Sequence, residues 1–159
     1  MDIQTTLAFE KMRGSPNRME DHYLTQLFNI YHQRLLANEE ACRELEDLGI
    51  SLCVIKEHGI GYCDRTLNHY ISTSAKNDGA AFRGTLRKLG LFKQTGHELF
   101  RGCIVEPVFA NGIAIAACGI KLHKPNRPAP RTFQWYRYSV YAEPVMFHIM
   151  SWGNRYATH

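Results

Sequence analysis

Apolar residues recur three and four apart at Leu24, Leu27, Phe28, Tyr31 and Leu35, the period of one helix face. This reading starts the helix at Glu20 and ends it before Asn38, whose side chain suits the N-cap of a second helix opening with Glu39-Glu40. Ala41, Cys42, Leu45 and Leu48 form the buried face of that helix, and Gly49 stops it. Ser51 caps a short third helix, Leu52–His58, ended by Gly59. Gly59-Ile60-Gly61-Tyr62 reads as a tight approach followed by a short extended piece. The polar stretch Thr66–Asp78 reads as a long loop pinned by Leu67, Tyr70 and Ile71. A basic amphipathic helix follows, beginning near Gly79, with Phe82, Leu86 and Leu89 on one stripe and Gly90 as its stop.

After a polar turn at Gln94–His97 the period changes to that of strands. Phe100–Phe109 is rich in β-branched and aromatic residues, and Ile113–Ile120 is a second apolar run. Asn111-Gly112 between them predicts a hairpin, because a two-residue turn needs positive φ at both central positions. Alternation across Phe133–Tyr138 suits one more, half-exposed strand. The fold class expected is α+β: a helical N-terminal half packed on a small, mostly antiparallel sheet with a central hairpin.

The chain has 159 residues, 45% hydrophobic and 21% charged, which suits one soluble globular domain. Residues 1–19 read as a flexible tail, 20–122 as the domain, and 123–159 as a basic aromatic extension packed on it. No apolar run approaches the length of a membrane span, and Met1-Asp2-Ile3-Gln4 does not resemble the start of a secretory signal. A cytoplasmic address and no membrane partner are therefore expected. The net charge of +4 is unevenly shared: residues 1–60 carry −4 and residues 61–159 carry +8. An anionic partner, nucleic acid above all, suits the second half.

Residues 121–159 carry Lys121, Lys124, Arg127, Arg131, Arg137 and Arg155 against a single Glu143, together with eight aromatics that include Trp135 and Trp152. Cations that track phosphates, interleaved with rings that stack on bases, are what a single-strand binder needs. The same alternation also fits a strand with its rings in the core.

Five cysteines without a Cys-x-x-Cys pair argue for reduced thiols, with Cys103 and Cys118 in the core, and against a zinc site. No metal and no other cofactor is expected. Two-metal phosphoryl transfer needs clustered carboxylates. From Gly79 onward there is no Asp, and the only Glu residues are Glu98, Glu106 and Glu143. No phosphate-cradling Gly-Lys-Ser/Thr loop and no Gly-x-Ser-x-Gly elbow occurs. No catalytic residue is assigned, and the chain is not expected to be an enzyme on its own.

LRKLGLF, GHELFRGCIVEPVF and the strand closing in CGIK, preceded by YHQRLLANEEACRELEDLGI and IKEHGIGYCDRTL, resemble the N-terminal subdomain of the catalytic core of bacterial-type DNA primases. Phage and mobile-element proteins of this kind are the nearer likeness, which runs from about Leu24 to Leu122. The resemblance implies a non-catalytic module that holds a single-stranded DNA template and acts as an accessory to primer synthesis or mobile-element DNA replication. Its protein partner would be a separately encoded toprim subunit, where such primases keep their metal-binding carboxylates, or a replicative helicase. Arg83, Arg87 and Lys88 on the helix would join Arg101 and Lys121 at the hairpin base in one groove, extended by Trp135 and Arg137. The family's Phe-Arg-x-Arg becomes Phe100-Arg101-Gly102-Cys103, so its second base is absent, and its Gly-Arg after the second strand becomes Gly119-Ile120-Lys121. The alternative function is a protein-interaction module that imitates primase and binds a replication partner, through an exposed patch of Trp135, Tyr138 and Trp152.

Overall fold

The computed structural model of the protein describes residues 18–74, 78–121 and 132–138. The N-terminal segment 1–17, residues 122–131 and the C-terminal 139–159, including Trp152, lie outside the described residues. The described part is α+β, with five helices and a four-stranded antiparallel sheet of order β1-β2-β3-β4.

Helix α1 (Arg18–Leu36) starts two residues earlier than the hydrophobic period indicated and buries Tyr23, Leu24, Leu27, Phe28, Tyr31 and Leu35. Asn38 caps α2 (Glu39–Asp47), its Oδ1 accepting from the Ala41 amide at 3.0 Å. Ser51 does the same for α3 (Leu52–His58), accepting from the Val54 amide at 3.3 Å. The expected stops at Gly49, Gly59 and Gly90 all have positive φ.

β1 is two residues long (Gly61–Tyr62), and α1 lies directly on it. A Cβ on Gly61 would stand 2.5 Å from the carbonyl carbon of Tyr31, so only glycine permits this approach.

The segment read as a loop after Thr66 is corrected by the structure: Leu67–Ser74 is a helix, α4. Leu67 and Ile71 are fully buried one turn apart, and Tyr70 packs against the same core. Asp64 starts the helix by accepting from the Thr66 amide at 3.1 Å and from its hydroxyl at 2.6 Å. Helix α5 (Gly79–Lys88) then buries Phe82, Thr85 and Leu86.

β2 (Cys103–Ala110) and β3 (Ile113–Lys121) form the expected hairpin, with φ of 53° at Asn111 and 78° at Gly112. Val108 opposes Ala116 and Phe109 opposes Ala114, so Ile115 is an extra residue in β3. β4 (Thr132–Tyr136) pairs with the other edge of β3. The Arg137 amide donates to the Ile115 carbonyl at 2.9 Å, which continues the β3–β4 register by one residue.

Alternate residues of β2 belong to different cores. Cys103 and Val105 pack with α1, α4 and α5, whereas Ile104 packs with Leu35, with Ala41 and Leu45 of α2, and with Ile55 of α3. Both faces of the hairpin are covered, which is why β2 and β3 read as apolar runs rather than alternating strands.

Candidate nucleic-acid interface

The base of the β2–β3 hairpin is set by a tight turn. The Cys103 amide donates to the Phe100 carbonyl at 2.8 Å across Phe100-Arg101-Gly102-Cys103, and Gly102 takes φ of 77°. Phe100 is fully buried and anchors the turn, while Arg101 stands exposed at its corner. The Gly102 amide donates to the Cys63 carbonyl and the Cys63 amide to the Cys103 carbonyl, each at 2.9 Å. Two residues of one strand therefore face one of the other, a glycine bulge that ties this corner to the segment after β1.

That segment brings in a base for which the sequence reading assigned no role. Arg65 is exposed, has φ of 73°, and lays its guanidinium on Gly102, where a Cβ would meet its Nη2 at 3.0 Å. Lys121 lies directly across from Cys103, with its Nζ 5.7 Å from the centre of the Phe133 ring. The Cys103 thiol registers this arrangement. Burial pushes it up to about 12, against the pull of Lys121 and Arg65. The only local hints of Arg65's placement are the Asp64 and Thr66 that flank it and form the turn.

Behind the corner is a buried polar cluster. The Tyr31 hydroxyl donates to Oε1 of Glu98 at 2.6 Å, with the Cys63 thiol beside both. Burial raises the Glu98 carboxyl above its usual range, while hydrogen bonds from Tyr31 and Cys63 pull it down. Tyr31 and His32 serve the scaffold: Tyr31 is buried, and the His32 Nδ1–H donates to the Ile60 carbonyl at 2.7 Å.

The seven bases and rings singled out in the sequence fall into three groups. Arg101 and Lys121 share the hairpin base, and neither forms an ion pair with the described residues. Arg83, Arg87 and Lys88 lie on α5. Arg83 bridges to α4 through the Ser72 hydroxyl at 2.8 Å and the Asn68 carbonyl at 3.3 Å, and Lys88 pairs with Glu20 at 3.0 Å. Arg87 is exposed.

Trp135 and Arg137 are the corrections. Trp135 is 4% exposed, and its indole N–H donates to the Leu89 carbonyl at 2.7 Å, so it has no face on which a base could stack. The Arg137 side chain is equally hidden, and its two terminal nitrogens meet Glu20 at 3.2 Å and Asp21 at 2.6 Å. Its charge fastens the end of β4 to the start of α1. The aromatic patch expected to dock a protein loses Trp135 for the same reason.

Among the described residues no group of three or more His, Cys, Asp or Glu is placed to hold a metal, and no helix is long and apolar enough to cross a membrane.

No family model matches the sequence, and no curated protein matches it. Solved structures do match. The zinc-binding and RNA polymerase domains of the Aquifex aeolicus primase align with a TM-score of 0.58 and 21% identity over 74% of this chain and 30% of that one. The DnaG catalytic core aligns at 0.58 and 20% identity over 77% of this chain and 39% of that one. The DnaG primase catalytic domain bound to single-stranded DNA aligns at 0.56 and 21% identity, over 78% of this chain and 41% of that one. The fold is therefore primase-like, and the chain spans 30% to 41% of the length of these neighbours.

Proposed function

We propose that the protein is a primase-like module that binds a single-stranded DNA template through the base of its hairpin. The observation that carries this reading is the register of β2 and β3. It sets Lys121 opposite Cys103, two residues from Arg101, so that two cations without an ion pair among the described residues stand at one end of the sheet. A primase-like fold, with one solved neighbour bound to single-stranded DNA, supports the same ligand. On α5 the exposed Arg87 would carry a further phosphate, and Arg83 and Lys88 would do so by leaving Ser72 and Glu20. Such binding is mostly electrostatic and weakly dependent on sequence.

In this reading the module joins no nucleotides by itself. It acts beside a toprim subunit or a replicative helicase in primer synthesis or mobile-element DNA replication. Incubated with template, ribonucleotides and Mg²⁺ or Mn²⁺, it yields no primers; template-dependent products from purified protein would overturn that part.

Fluorescence anisotropy of a labelled single strand across a salt series tests the binding. Arg101→Ala and Arg87→Ala should each weaken it and lower the slope of log K against log salt by about 0.7. Arg43→Ala, on the acidic half, should do neither. Absence of binding at low salt, or equal losses from Arg43→Ala and Arg101→Ala, would rule the reading out.

A further inference from the structure

We infer that Arg65, with Arg101 and Lys121, forms a three-cation phosphate site whose floor is the Gly102 backbone. Three observations meet at this corner. Arg65 holds a left-handed backbone, φ of 73°, which is uncommon for a residue with a side chain and is sustained only where its surroundings enforce it. Its guanidinium rests against the one residue of the turn that lacks a Cβ. Lys121 lies opposite Cys103 in the hairpin register and Arg101 precedes Gly102, so three basic residues meet at the segment Arg101-Gly102-Cys103.

The nearby carboxylates have hydrogen bonds of their own. Asp64 is turned onto the Thr66 amide and hydroxyl, and Glu98 is buried under the Tyr31 hydroxyl. None of the three cations has an ion-pair partner among the described residues. A strained backbone beside cations that lack an ion pair, with Arg101 Nη1 3.3 Å from Nδ1 of His97, suits an external anion. The planar fork of Arg65 fits the oxygens of a phosphate group. Assigning that phosphate to a DNA strand rests on the function proposed above; the phosphate site itself does not.

Arg65→Gly separates charge from folding, because glycine adopts this backbone freely. The variant should melt no lower than the wild type. It should nevertheless bind a labelled single-stranded oligonucleotide several-fold more weakly, with the salt slope lower by about 0.7. Arg65→Asn, which also tolerates positive φ, repeats the test should the glycine variant fold poorly. If Arg101→Ala weakens binding and Arg65→Gly and Arg65→Asn do not, the inference falls and the DNA-binding reading stands. If the wild type binds no oligonucleotide, titration with inorganic tripolyphosphate decides, read at the Gly102 amide and the Arg65 Nε–H by NMR. A Gly102 response lost in Arg65→Gly upholds a phosphate site without nucleic acid. No response in the wild type overturns it.

Discussion

The hydroxyl of Tyr31 donates to Oε1 of Glu98 at 2.6 Å in the core, joining α1 to the turn that leads into the hairpin. The bond lies behind the corner that displays Arg65 and Arg101. The groups around Glu98 are Tyr31 on α1, Cys63 and Asp64 after β1, and Arg101 on its own turn. Burial is the largest influence and raises the carboxyl above its ordinary value of 4.5. The folded protein therefore keeps this proton to higher pH than the unfolded chain does. Stability contributed by Glu98 is full at low pH, falls as pH rises from about 4.5 through the raised folded value, and is lowest above it. Glu98→Gln can still accept from Tyr31 but never ionises. Its melting temperature relative to wild type should rise from pH 5 to pH 8, and a difference independent of pH would refute the assignment.

Removing the donor has the opposite effect. Tyr31→Phe leaves the buried carboxyl without its shortest hydrogen bond and should cost about 1–3 kcal/mol in urea unfolding at pH 7. Less than half a kcal/mol would mean that water readily takes the place of the hydroxyl.

Two glycines make a contrasting pair. A Cβ on Gly61 would collide with the backbone of Tyr31 and His32 at 2.5 to 2.7 Å, and helix backbone cannot rotate away as a side chain can. Gly61→Ala should destabilise by roughly 2–4 kcal/mol. Gly84 sits inside α5 with nothing within 4 Å of its missing Cβ. Gly84→Ala should stabilise by about 0.5–1 kcal/mol. Thermal melts of both variants check the contrast in sign.

Arg137 is an interior tie rather than a DNA contact. Arg137→Ala would leave Glu20 and Asp21, 13% and 19% exposed, without their shared cation. The expected loss is roughly 2–4 kcal/mol, with oligonucleotide affinity unchanged under conditions where the variant is folded. Weaker binding by the folded variant would return Arg137 to the interface.

Trp135→Phe keeps most of the ring that packs against Phe28 but loses the bond to the Leu89 carbonyl. A loss of about 1–2 kcal/mol should appear in denaturant unfolding, again without effect on DNA binding. If binding falls while stability holds, the ring reaches bases after all.

What the sequence determined by itself was whatever depends on neighbours in the chain. Asn38 and Ser51 cap helices because their oxygens reach amides three residues on, and Asn111-Gly112 turns because both residues accept positive φ. The same locality explains the misreading at α4. Leu67, Tyr70 and Ile71 have helical spacing, but Asn68, Ser72, Thr73 and Ser74 are weak helix formers, and it is burial of Leu67 and Ile71 against α1 and α5 that supports the helix. Tertiary structure alone decided the rest. Alternation at Phe133–Tyr138 fits stacking on bases as well as packing in a core, and only the docking of β4 beside α5 buries Trp135. Arg137 meets Glu20 across 117 positions, and Arg65 reaches Gly102 through a strand pairing that no local pattern encodes. A side chain's type and spacing constrain the element that carries it, whereas its partner is set by how the elements pack, and that depends on the whole chain at once.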